Sequence, residues 1–180
     1  MALLPFQHPM VQTFPLVADL PERLRLRRLR WIDLSVALVG AGVIEHAVPM
    51  LVAHLALEHG RDFDAVFNNS WGNVKLWRGA APDTPFFVLR DGFKSTDRYQ
   101  HHEDMAAGVR PFVREVKRRV TLYDAARKGY PKAYAVELLE SEYIGDDPKL
   151  SYGAQLADVT ACMRDLFREA CGVLWPVPKP

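Results

Sequence analysis

The sequence predicts an α+β fold, mainly α-helical and built as a single domain over residues 1–180, and three observations carry that prediction. The first is the stretch from Trp31 to Leu57, twenty-seven residues in which only Asp33 and Glu45 carry a formal charge. Each large apolar side chain left in water forfeits about 1.5–3 kcal/mol, so this block must lie beneath the rest of the chain. The second is a change of period between Asp62 and Phe93, where short β-branched and aromatic runs alternate with Gly, Pro, Asn and Asp. The third is a series of later segments whose apolar residues recur at three-four spacing. The expected order is an N-terminal αα-hairpin, a small antiparallel sheet in the middle, and three to four C-terminal helices.

The chain has 180 residues, 49% of them hydrophobic and 25% charged, which is the composition of one ordinary globular domain. Residues 1–18 contain three prolines and no sustained period, and are expected to form an extended arm. They lack the charged start of a signal peptide. A helix is expected from Asp19-Leu20-Pro21-Glu22, where Asp can cap, Pro is tolerated and Glu suits the positive helix end, running to about Val39. Its first half carries Arg23, Arg25, Arg27, Arg28 and Arg30 around most of the cylinder, and its second half is apolar on nearly all sides. Gly40-Ala41-Gly42 breaks it, and a second helix covers Val43 to His59 with a start or kink at Pro49 and a stop at Gly60.

The arginine run ahead of an apolar block mimics a membrane flank. The longest uncharged run inside the block, Leu34 to Ile44, is eleven residues, short of the roughly 18–20 that a spanning helix needs. The expectation is a buried helix pair with no membrane contact, in a cytoplasmic protein. As a helix-turn-helix unit the pair is poorly equipped, since the second helix offers no Arg, Lys, Asn or Gln to read bases.

Val66-Phe67, Val74 to Trp77 and Phe86 to Leu89 are the expected strands. Ser95 to Ala107 is expected to be a short polar helix, and Pro111 to open an amphipathic helix that ends at Gly129. On it Phe112, Val113, Val116, Val120 and Tyr123 share an apolar arc, while Arg114, Lys117, Arg118, Thr121 and Lys128 share a basic one. The helix from Lys132 to Ile144 is acidic, with Glu137, Glu140 and Glu142 followed by Asp146 and Asp147. A last helix, Tyr152 to about Cys171, docks through Leu156, Val159, Met163, Leu166 and Ala170, and residues 175–180 form a Pro-rich tail.

Chemistry-bearing motifs are sparse. His54 and Glu58 stand four residues apart, a permissible two-ligand spacing, and His101 and His102 are further weak metal candidates, but adjacent residues on a helix point about 100° apart. Such histidines are more commonly exposed or capping, and no metal or other cofactor is expected. No G-x-S-x-G, Walker or Rossmann glycine pattern occurs. Cys162 and Cys171 lie about 13 Å apart on a helix, beyond disulfide reach, and Cys162 is expected to face the core.

Surfaces remain. Sixteen of the 23 basic residues are Arg, which suits bidentate contacts to phosphate or carboxylate. If the Arg23 to Arg30 helix neighbours the face of Arg114, Lys117, Arg118 and Lys128, one positive patch results, with Trp71, Trp77 and Tyr99 available to stack on bases. The acidic stretch from Glu137 to Asp147 is the obvious internal counterweight. The expected function is a non-enzymatic subunit or adaptor that meets nucleic acid or an acidic protein through an Arg-rich helical surface. The alternative is a small enzyme with a His/Glu-lined pocket.

Overall fold

The computed structural model describes residues 22–63, 66, 68–76, 80–81, 83–91, 95–141 and 150–175. The arm 1–18, the Asp19 cap, Phe67, Trp77, Glu142, Asp146, Asp147 and the tail beyond Trp175 lie outside the described residues, as does the side chain of Arg23.

The protein is mainly helical. Six α-helices are described: α1 (Glu22–Gly40), α2 (Val48–His59), α3 (Met105–Arg118), α4 (Val120–Lys128), α5 (Pro131–Glu140) and α6 (Tyr152–Leu174). Strand among the described residues is confined to β1 (Phe86–Asp91) and β2 (Ser95–Gln100), antiparallel and in register from Phe86 opposite Gln100 to Asp91 opposite Ser95. No described helix is long and apolar enough to cross a membrane.

Helix α2 is the centre. Every residue from Val48 to Ala56 is buried, so this helix has no face to offer to DNA. It follows a 3-10 turn, Glu45–Ala47, and carries Pro49 in its first turn, where the missing amide hydrogen costs no helical bond. Its most extensive partner is α6, with α1 alongside, so the expected hairpin is completed by the last helix of the chain. Trp31 of α1 is fully buried and its indole N–H donates to the Arg61 carbonyl at 2.8 Å. Helix α6 opens on Ser151, whose hydroxyl accepts from the Ala154 amide, and buries Met163, Leu166 and Ala170 as their spacing predicts.

The middle of the chain departs from expectation. Val66 lies outside strand, and the run from Val74 contributes one isolated bridge, Lys75 opposite Tyr99. Ser95 to Gln100 is strand β2 and not part of a polar helix. The cap lies later, at Asp104, whose carboxylate accepts from the Ala107 amide at 2.7 Å and starts α3 there. Pro111 therefore sits inside α3, where it removes the amide that would bond the Ala107 carbonyl. The buried face of Val109, Phe112, Val113 and Val116 carries the helix through. The expected single helix to Gly129 is two, because Arg119 leaves helical geometry at φ −88° and ψ 85°. That break rotates the pattern. Val120 is 75% exposed, and Leu122, Ala125 and Ala126 are the residues that α4 buries. Gly129 caps α4 in the left-handed region, as expected.

Two glycines let residues 68–73 press onto α3. A β-carbon on Gly108 would fall 1.8 Å from the Asn69 carbonyl oxygen, and one on Gly72 would fall 2.3 Å from the Phe112 ring. Asn69 also donates its side-chain amide to the His102 carbonyl, and the His102 amide donates to the Asn68 carbonyl.

Candidate functional site: a basic helical surface and a buried histidine chain

The histidines of α2 are neither exposed nor capping. His54 has no exposed surface, and His59 is buried as well. The Tyr134 hydroxyl of α5 lies 2.8 Å from His54 Nδ1, and Glu58 Oε1 lies 3.0 Å from His54 Nε2. Burial, and after it the Glu58 charge, pushes the Tyr134 hydroxyl well above its ordinary range, so it meets Nδ1 in its protonated form. A carboxylate only accepts, so Nε2–H donates to Glu58. One residue further on, His59 Nε2 accepts from the Gly72 amide at 2.9 Å. The chain of polar groups ties α2 to α5 and to the 3-10 turn Trp71–Asn73, and its members satisfy one another inside the core.

His101 is exposed and His102 half-buried at the junction of β2 and α3. Burial, with the neighbouring His101 as a second cause, lowers the His102 pKa from its ordinary value. Among the described residues, no three His, Cys, Asp or Glu are grouped to hold a metal ion. Cys162 is exposed, against expectation, because the buried face of α6 runs through Met163, Leu166 and Ala170 and leaves position 162 outside it. Cys171 is half-buried, and burial raises its thiol pKa.

The arginine run of α1 is structural at its best-anchored members. Arg27 Nε donates to Asp62 Oδ1 at 2.6 Å, and a second guanidinium nitrogen lies 3.5 Å from Glu169 of α6. Arg30 donates to the Asp62 carbonyl, Arg61 pairs with Glu169, and Arg25 forks onto Glu22 within its own helix. Arg28 is half-buried.

The second basic group lies elsewhere. Lys117 Nζ donates to the Gly42 carbonyl at 2.7 Å, beyond the C-terminal end of α1, and stands over the Tyr123 ring. Helix α1 packs on α3, and Lys117 meets the chain just beyond the C-terminal end of α1, about 20 Å along the axis from Arg27.

On α3 and α4 themselves the expected residues are all at the surface: Arg114, Lys117, Arg118, Thr121 and Lys128 are exposed. Arg110, also exposed, belongs with them. Positions 110, 114, 117 and 118 fall within an arc of about 100° on one helix. Residues 105–132 contain eight basic and two acidic residues, a net charge of +6 in a chain whose formal total is +1.

Both acidic residues sit within the surface. Glu115 accepts from Arg118 and Arg119, and Asp124 pairs with Lys128 at 2.5 Å. Burial works to raise the Glu115 carboxyl, but those arginine hydrogen bonds outweigh it and hold the group below its ordinary range. The acidic helix α5 packs on α4, yet Glu137 accepts from the Thr121 hydroxyl rather than from a cation, and Glu140 faces Tyr152. Among the described residues the counterions of this surface are therefore Glu115 and Asp124 rather than Glu137 or Glu140.

Two of the three aromatic candidates do not join this surface, and Trp77 lies outside the described residues. Trp71 and Tyr99 are buried, at 4% and 7% exposure. Trp71 packs against Phe63 and His59 in the core, so neither ring is available to stack on a base. Arg110 escapes a reading that starts the helix at Pro111. The signal that finds it is the four-residue repeat Arg110, Arg114, Arg118, together with Asp104 as a cap. No family model, no curated protein and no solved structure matches this chain.

Proposed function

We propose that the protein is a non-enzymatic subunit or adaptor that binds a polyanionic partner, nucleic acid or an acidic protein, through the exposed basic surface of α3 and α4. The observation that supports this reading most is the segregation of charge. A net charge of +6 collects on residues 105–132, with Arg110, Arg114, Lys117 and Arg118 side by side at the surface of one helix. A row of cations on a rigid element raises the local concentration of an anionic partner and holds it in one orientation. The buried His54 chain supports the same reading from the other side, because groups that would serve an enzyme are enclosed and bonded to one another.

The test is the absorbance ratio of the purified protein at 260 and 280 nm before and after a high-salt wash, followed by retention on an immobilised polyanion. Salt-released nucleic acid, or salt-reversible retention by the polyanion, supports the reading. A protein that is clean at low salt and passes through the polyanion column unretained contradicts it.

A further inference from the structure

The basic surface also says which polyanion fits it. We infer that the α3 row of Arg110, Arg114, Lys117 and Arg118 takes the phosphate backbone of a double-stranded nucleic acid without reading its sequence, an inference that rests on the proposed function above. Three observations separate this partner from the other polyanions.

The first is the make-up of the row. The exposed residues of α3 are Ala106, Arg110, Arg114, Lys117 and Arg118, with no large apolar side chain among them. A specific protein partner is held by a dry centre of aromatic and aliphatic residues inside a polar rim, and a row of cations lacks that centre. It does match a line of regularly repeating charges. Arg110, Arg114 and Arg118 repeat every four residues, about 6 Å of rise each, and phosphates repeat at fixed intervals along a strand.

The second is the fate of the aromatic rings. Single-stranded nucleic acid is gripped by base stacking in addition to charge, and α3 offers no ring beside the row: its one aromatic residue, Phe112, is buried, as are Trp71 and Tyr99. A duplex, whose bases are already stacked, asks for no such platform.

The third is the absence of amide side chains. Residues 105–132 contain neither Asn nor Gln, the residues that pair with the adenine edge. Lys117 is held on the Gly42 carbonyl and Arg118 on Glu115, which fixes them beside the helix and suits contact with a backbone more than insertion into a groove.

The experiment is fluorescence anisotropy with the full chain against two duplexes of unrelated sequence, each of about twenty base pairs, one of their single strands, and poly-glutamate, over a salt series. Each neutralised phosphate contributes about −0.9 to the slope of log K against log salt, so four cations predict a slope near −3 to −4. The two duplexes should bind within about twofold of each other and more tightly than the single strand, and Arg110→Glu with Arg114→Glu should flatten the slope by about 2. Circular dichroism of that variant checks that it folds; if it does not, Arg110→Gln with Arg114→Gln carries the same test. A preference of tenfold or more for one duplex, or for the single strand, overturns the inference. Binding to poly-glutamate alone overturns it and leaves the proposed function standing, whereas binding to none of the four removes both.

Discussion

Arg27 Nε donates to the Asp62 carboxylate at 2.6 Å across thirty-five residues of sequence, with both side chains only 17% exposed. This pair, with Glu169 beside it, fastens α1 to the end of α2 and to α6, and turns an arginine of the N-terminal run into part of the scaffold. Charge in a sequence run is not the same as charge on a surface. Asp62→Ala should destabilise the fold by about 1–3 kcal/mol, more than an exposed pair contributes, because Arg27 keeps its charge in a half-buried place. Urea unfolding measures the loss, and polyanion binding of the folded variant should be unchanged.

The Tyr134–His54 contact makes a second prediction. Tyr134→Phe keeps the ring and removes the hydroxyl hydrogen-bonded to His54 Nδ1 in a fully buried place. A cost of about 1–3 kcal/mol is expected, seen as a lower urea midpoint with an unchanged slope. Since the chain lies in the core and not at the basic surface, the affinity for a polyanion should stay within experimental error.

The half-buried His102 sets a pH dependence. Its folded pKa lies below the ordinary 6.5, first through burial and then through His101. The unfolded chain therefore takes up the proton first as pH falls, and the unfolded state gains relative to the folded one. Stability should be fully present above about pH 7 and decline as pH drops through the ordinary histidine value toward the lowered one. Unfolding curves across that window, compared with His102→Gln, should show a shallower decline in the variant.

The helices were legible where periodicity and capping agreed. Helix α2 follows from its apolar block and the Pro49 and Gly60 punctuation, and α6 from the three-four spacing of Met163, Leu166 and Ala170. The middle was not legible for a physical reason. Ser95 to Gln100 is polar, and its strand pairing with Phe86 to Asp91 is a long-range choice that local propensity does not encode. Pro111 was the second obstacle, because Pro opens helices far more often than it sits within them. That one residue hid both the true start at Asp104 and the membership of Arg110 in the basic row.

Burial was the least visible property. His54, Trp71 and Tyr99 are residue types found both inside and outside proteins, and only tertiary packing, that of α2 and α3 for His54 and Trp71, places them inside. The basic face of α3 was legible as a face, but its local counterions were not: Glu137 takes the Thr121 hydroxyl, and Glu115 and Asp124 pair with the cations.

The most direct test of the account compares two charge reversals of equal size in one polyanion-binding assay. Arg110→Glu with Arg114→Glu changes the α3 row, and Arg25→Glu with Arg28→Glu changes the other basic helix by the same net charge. The account predicts that the first pair weakens duplex binding at least tenfold, while the second weakens it no more than about threefold, the share due to net charge alone. Equal losses from the two pairs, or a larger loss from the α1 pair, would contradict it.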